Sequence, residues 1–309
     1  MSTHDHPLPA PRNPHLRAAG LMLASTLAFG LMTITIRYAS ATIATTEIAF
    51  FRNFFGLLAL LPLLLRGGSS LPRTRHLPRY LLRTAVGLAS MLCGFWAIGH
   101  LPLSQAVSLS YSTPLFTTLA AVLWLGEKVH VRRTLAVLAG FVGVLVVLRP
   151  GADFDRGLLV ALAAAVLSAL VAIQIKQLSR LDTPDTIVFY TYVFWVPLSL
   201  APALFQWTWP QGIAWLWLTL TGLLGTFGQL LWTRALRLGE LSALQPIGFM
   251  QLPLVVLLGW WLFGETLDRW VLLGAAIILA SNAYIARREA LRARQSASSA
   301  PTAAAKPGE

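Results

Sequence analysis

The sequence predicts an all-α membrane protein of ten transmembrane helices, arranged as two inverted five-helix repeats. Three observations lead there. Apolar residues fill 56% of the 309 positions and charged residues only 12%, with a mean hydropathy of +0.66. Apolar runs of about 20 residues, each long enough for a ~30 Å hydrocarbon layer, therefore recur along nearly the whole chain. Basic residues gather on alternate loops, and the second half repeats the first after an odd number of spans.

Residues 1–16, rich in Pro and His, are expected to form a disordered cytoplasmic N-terminus. The first span, 17–38, follows Arg12 and Arg17. Ala39-Ser40-Ala41 behind it imitates a signal-peptidase site, but the apolar run is too long for a signal-peptide core, so an uncleaved helix is expected. Further spans are expected at 46–65, 79–99, 103–125 and 132–149, completing a first repeat over 17–150. The second repeat, 155–288, holds spans at 157–179, 185–205, 211–233, 240–263 and 269–287. Residues 289–309 are basic, then rich in Ala, Ser and Pro, and are expected to be a disordered cytoplasmic tail.

Charge fixes the orientation. With the amino terminus inside, 19 of the 24 Lys and Arg residues fall on the cytoplasmic side, Arg83 among them. Only Arg37, Arg149, Arg156 and Arg269 fall outside, and Arg52 is left within a span. Both termini are thus expected in the cytoplasm. The net charge of +12 is accounted for by this asymmetry, which leaves no case for a nucleic-acid partner. Trp207, Trp209, Trp215 and Trp217 flank one short outer loop, where an interfacial belt places them. The single cysteine, Cys93, lies within a span, which excludes disulfides and cysteine metal sites. No His pair has metal spacing, so no metal or cofactor is expected.

A shift of 139 residues lays Thr46-Glu47-Ile48-Ala49-Phe50-Phe51-Arg52 over Asp185-Thr186-Ile187-Val188-Phe189-Tyr190-Thr191, Arg37 over Lys176, and Pro114-Leu115 over Pro253-Leu254. Gly126-Glu127 and Gly264-Glu265 superpose at nearly the same shift. Five spans per half make the repeat inverted, a design in which one midplane site is presented to either side as the halves exchange conformation.

The Pro-Leu…Leu-Gly-Glu pattern at 114–127 and 253–265 resembles the EamA-type drug/metabolite transporter superfamily. So do Phe-Phe-Arg-Asn in span 2, the basic residue ending spans 1 and 6, and Leu-Gly-Ala-Ala-Ile-Ile-Leu-Ala at 273–280. The resemblance covers about 17–288. It implies a ten-helix bacterial inner-membrane carrier, similar to carriers of S-adenosylmethionine, riboflavin or amino-acid-type metabolites. In small four-helix relatives of that superfamily a helix 1 glutamate exchanges protons. Here 21–36 has no carboxylate, no span has one near its centre, and Glu47 falls at an outer edge, so uniport or exchange is expected.

Candidate substrate contacts follow from depth and helical spacing. Ser104, Ser108, Tyr111 and Ser112 share one face of span 4, and Pro114 deprives the Ser110 carbonyl of its helical donor. That stripe faces either substrate or a neighbouring helix; Ser and Thr also serve packing by bonding their own i−4 carbonyls. Gln229 and Gln251 lie at comparable depth, with Thr226 nearby and Gln245 closer to the cytoplasm; a central cavity or interhelical bonding would satisfy the amides. Trp96, Tyr190, Tyr192, Trp195 and Trp232 could clamp a ring or simply pack. Glu127 and Glu265 are expected to be fold markers that satisfy free donors of the helix that follows. Arg52 is the clear charge inside a span. It either snorkels to the interface or faces the cavity and attracts an anionic group, and Arg52, Ser108, Tyr111, Ser112, Gln229 and Gln251 form the expected substrate site.

The functional expectation is a secondary transporter of a small organic metabolite within a lipid bilayer, with no oligomeric state implied. A channel or structural subunit is the alternative. A membrane enzyme is a weaker one, because no nucleophile–base pair, metal motif or phosphate-binding loop is present.

Overall fold

The computed structural model describes residues 14–66, 74–125, 131–149, 155–182, 184–238 and 241–298. The described residues are helical, without strands. The first half contains α1 (Pro14–Ala39), α2 (Thr45–Arg66), α3 (Leu77–His100), α4 (Leu103–Ser110), α5 (Thr113–Leu125) and α6 (Val131–Leu148). The second contains α7 (Gly157–Leu178), α8 (Pro184–Leu204), α9 (Ala214–Leu238), α10 (Leu241–Phe249), α11 (Gln251–Phe263) and α12 (Arg269–Ser298). The pairs α4/α5 and α10/α11 each form one interrupted crossing, so twelve helices make ten crossings. Among the described residues, seven crossings are long and apolar enough to span a bilayer by length and composition. Of the others, α6 and α8 carry shorter apolar stretches, and α2 is made more polar by Glu47 and Arg52.

Both interruptions have a local cause. Pro114 cannot donate to the Ser110 carbonyl, and the Thr113 hydroxyl takes that acceptor instead at 2.8 Å. The chain turns at Tyr111 and Ser112, and α5 restarts with Ser112 accepting from the Leu115 and Phe116 N–H groups. At the second interruption Met250 separates α10 from α11, with Pro253 in the first turn of α11, where its missing N–H costs little. The chain ends depart from the expected limits. α1 already starts at Pro14, and α12 runs on to Ser298 because Arg-Arg-Glu-Ala-Leu-Arg-Ala-Arg-Gln is a run of strong helix formers.

The halves pack reciprocally. α1 lies against α9 as α7 lies against α3, while α2 meets α8 and α6 meets α12, each beside its own repeat counterpart. Glycines permit the closest crossings. A Cβ on Gly274 would meet the Gly143 carbonyl oxygen at 2.6 Å, and one on Gly143 would meet that of Gly274 at 2.8 Å, so α6 and α12 touch backbone to backbone. Leu123, Leu135, Leu138 and Leu257 on the outside of the bundle are more than half exposed. Such a surface suits lipid.

One relationship breaks the symmetry. At the end of the bundle that carries Glu265, α4 packs against α11. Their counterparts at the Asp182 end, α5 and α10, do not form a packed pair among the described contacts. Among the described residues, the two interrupted crossings therefore pack together at one end only.

Candidate functional site

Arg52 lies seven residues into α2, and its side chain turns into the bundle. The guanidinium carbon sits 5.7 Å from the Tyr192 ring centre and 5.5 Å from that of Trp195, both on α8. A Cβ at Gly225 on α9 would meet Arg52 Nε at 3.3 Å and Met32 Sδ at 2.9 Å. Glycine at 225 thus gives the arginine room that a larger residue would take from it. Nη1 donates to Asn53 Oδ1 at 3.0 Å, and fully buried Asn53 is held in turn by Ser199 at 3.3 Å. Among the described residues Arg52 forms no ion pair. Two aromatic faces stabilise the cation by up to about 2 kcal/mol when desolvated, yet most of its five N–H donors remain available.

Toward the Asp182 end a cavity of about 630 Å³ opens, lined by Phe29, Tyr111, Pro114, Trp232, Gln251 and Asn282 among others. It lies where the two interrupted crossings face each other. The Tyr111 hydroxyl, at the first break, donates to the Gly248 carbonyl at 3.0 Å, near the second. Asn282 of α12 donates to the Tyr111 carbonyl at 2.7 Å, and its own Oδ1 is buried without a partner. One face of α9, on which Gly225, Gln229 and Trp232 recur at helical spacing, runs from Arg52 to the cavity.

The expected site residues divide. Arg52 faces the interior, and Tyr111 and Gln251 line the cavity. Gln229 is exposed on the connecting face of α9, outside the residues that line the cavity. Ser108 and Ser112 are buried and bond backward, to the carbonyls of Ser104 and Leu109, so their hydroxyls serve the helix break rather than the cavity. Thr226 approaches the Tyr192 hydroxyl at 3.3 Å beside Arg52. Trp96 belongs elsewhere, stacked on His100 in an outer groove with Cys93. Tyr190 packs on Tyr80. The side chain of Gln245, and Glu127 altogether, lie outside the described residues.

Glu265 and Arg83 differ from the sequence reading, while Glu47 stands at the start of α2 as expected and is buried there. Glu265 does not satisfy the helix that follows it. Its carboxylate crosses to the other half, accepting the Leu103 N–H at the start of α4 at 2.8 Å and pairing with Arg37 at 3.3 Å. Glu47 is fully buried, accepting from the backbone and hydroxyl of Thr208. Arg83, counted with the cytoplasmic charges, is 7% exposed inside the bundle. It donates to Thr191, and its guanidinium carbon lies 5.7 Å from the Trp195 ring centre. A basic residue near a cytoplasmic helix end reads as topology, so sequence gave no signal for its burial; Asn282, in an otherwise apolar span, was the more legible omission. Among the described residues no three His, Cys, Asp or Glu side chains converge to hold a metal ion.

Comparison with known proteins agrees with this architecture. The EamA-like transporter family model matches twice, over residues 16–149 and 155–287. A riboflavin transporter of Vibrio cholerae is 33% identical over 302 residues, covering 96% of this chain and 98% of the relative. An S-adenosylmethionine uptake transporter of Rickettsia felis is 27% identical, covering 88% and 92%. A solved crystal structure superposes with a TM-score of 0.59 at 19% identity, over 90% of this chain and 99% of that one, a likeness of fold.

Proposed function

The chain belongs to the EamA-like transporter family, and from that premise we propose that it is a secondary transporter moving a small organic metabolite by alternating access. The substrate is of the riboflavin, S-adenosylmethionine or amino-acid type, and the membrane is a bacterial inner membrane with both termini in the cytoplasm. Arg52, Tyr111, Gln229 and Gln251 contact the substrate; Ser108 and Ser112 shape the break beside it. The observation that carries the reading is the pair of interrupted crossings, one from each inverted half, which face each other across the cavity and converge at one end only. A bundle of reciprocal contacts with one unreciprocated seam has a second arrangement available, in which the opposite end closes.

Coupling follows from the carboxylates. Glu47 is consumed by Thr208 and Glu265 by Arg37 and Leu103, which favours uniport or substrate exchange over proton antiport through an embedded acid. The test is counterflow in proteoliposomes, with labelled riboflavin and S-adenosylmethionine as the first probes and amino acids next. Saturable uptake accelerated by the same unlabelled metabolite inside identifies a carrier. Unsaturable flux without trans-acceleration would make the protein a channel.

A further inference from the structure

Resting on the transporter reading, we propose that Arg83 is a second anion subsite, which receives the carboxylate of a small organic acid that Arg52 engages from the other end of the bundle. The two arginines enter from opposite ends. Arg52 is seven residues into α2 and Arg83 six into the antiparallel α3, so each lies roughly 10 Å inside its own end. Both guanidinium carbons lie over Trp195, at 5.5 and 5.7 Å, which sets them at most about 11 Å apart.

Arg83 is poorly compensated for so buried a charge. Nη1 has only the neutral Thr191 hydroxyl, and Nε is buried with no hydrogen-bond partner. Among the described residues it forms no ion pair. Among the described carboxylates, Asp182, which reaches α3 through Tyr80, is engaged by Thr74 at 2.7 Å and Tyr80 at 2.9 Å. A desolvated guanidinium without a counter-charge is costly, and a planar fork with a free N–H matches a carboxylate.

The repeat argues that packing does not require either arginine. Thr191 stands at the repeat position of Arg52, and Gly222 at that of Arg83. Gly222 lies under the Arg52 carbonyl and Phe55, while Thr191 accepts from Arg83. The α2–α9 and α8–α3 interfaces are thus counterparts, and each sets one arginine against a small residue. Both cations lie within 6 Å of the Trp195 ring centre, and the indole N–H is fixed on the Thr84 carbonyl at 3.1 Å. A carboxylate leaving one guanidinium meets the other without crossing the bundle.

The experiment compares benzoate with benzamide, its neutral isostere, as ligands of the purified full-length protein, at equal concentration and ionic strength, by thermal shift. Benzoate is expected to raise the melting temperature above benzamide. Its apparent affinity should fall in the order wild type, Arg83→Lys, Arg83→Gln, with about a tenfold loss in the last, and Arg52→Gln should also weaken it. Ligand-free Arg83→Gln is expected to melt no lower than wild type, which a purely structural arginine would not allow. Equal shifts from the two probes, no benzoate shift, or undiminished benzoate affinity in Arg83→Gln would overturn the proposal. Should Arg83→Gln fail to accumulate, undiminished affinity in Arg83→Lys, which lacks the fork and Nε–H, overturns it equally. Failed counterflow with a surviving benzoate preference would count against transport and not against the subsite; the reverse result would count against the subsite alone.

Discussion

Arg37 and Glu265 meet at 3.3 Å across the boundary between the two halves, at the end where α4 and α11 converge. The contact is embedded on both sides. Arg37 Nη1 also donates to the Ile98 and Leu101 carbonyls at 2.9 and 3.0 Å, and the second Glu265 oxygen accepts the Leu103 N–H. One carboxylate thereby ties the last turn of α1 to the first turn of α4.

Removing that carboxyl group should loosen the seam. In a Cys93→Ser background, a cysteine replacing buried Val107 between α4 and α11 reports on the seam. Glu265→Ala, which removes the Leu103 and Arg37 contacts together, is expected to raise its labelling by a membrane-impermeant maleimide several-fold. Unchanged labelling would show that apolar packing alone closes this end.

The same carboxylate gives a pH dependence. Burial raises Glu265 above its ordinary value of 4.5, opposed by the Leu103 N–H and the Arg37 charge. The folded, closed form therefore binds the proton more readily than a solvated Glu265 does. The stability it adds is complete below the ordinary value and is lost as pH rises through the raised one. Labelling at position 107, taken relative to a free thiol at the same pH, should fall as pH drops from neutral into that window, and Glu265→Gln should flatten the ratio. A profile of opposite slope would mean that ionised pairing with Arg37 dominates.

Close packing makes a third prediction. Gly274→Ala forces a Cβ against the Gly143 carbonyl, which only a backbone shift can relieve. It should destabilise by about 1–3 kcal/mol, read as a lower melting temperature. Gly20→Ala, with nothing within 4 Å of the new Cβ, should lose no stability. Equal behaviour of the two variants would argue against the α6–α12 contact.

Orientation is tested separately. A reporter fused after Gly151 should signal from the periplasm, and one after Leu181 from the cytoplasm. Opposite signals would reverse both the orientation and the assignment of ends used above.

Much of the fold is legible in the sequence, because a bilayer admits few solutions. Ten apolar stretches, basic loops and the doubled Pro-Leu…Gly-Glu pattern suffice to read ten crossings in two halves. The site is less legible where one residue type has two uses. Serines at 108 and 112 have the spacing of a polar stripe, but a hydroxyl can reach its own helix's carbonyl, and in the structure both do. A basic residue near a helix end obeys the charge rule whether it meets headgroups or, like Arg83, an interior tryptophan. Glu265 looks like a local cap because the donor it satisfies, the Leu103 N–H, lies 162 residues away.

The central claim is that the polar interior at Arg52 binds the transported metabolite. The most direct measurement is the concentration dependence of counterflow for Arg52→Gln against wild type at equal abundance in proteoliposomes, using the metabolite that counterflow identifies. Loss of a charge-assisted contact to the substrate predicts an apparent KM raised by about tenfold or more, or transport abolished. Transport with unchanged KM and unchanged maximal rate would contradict it and leave Arg52 a structural cation beneath Tyr192 and Trp195.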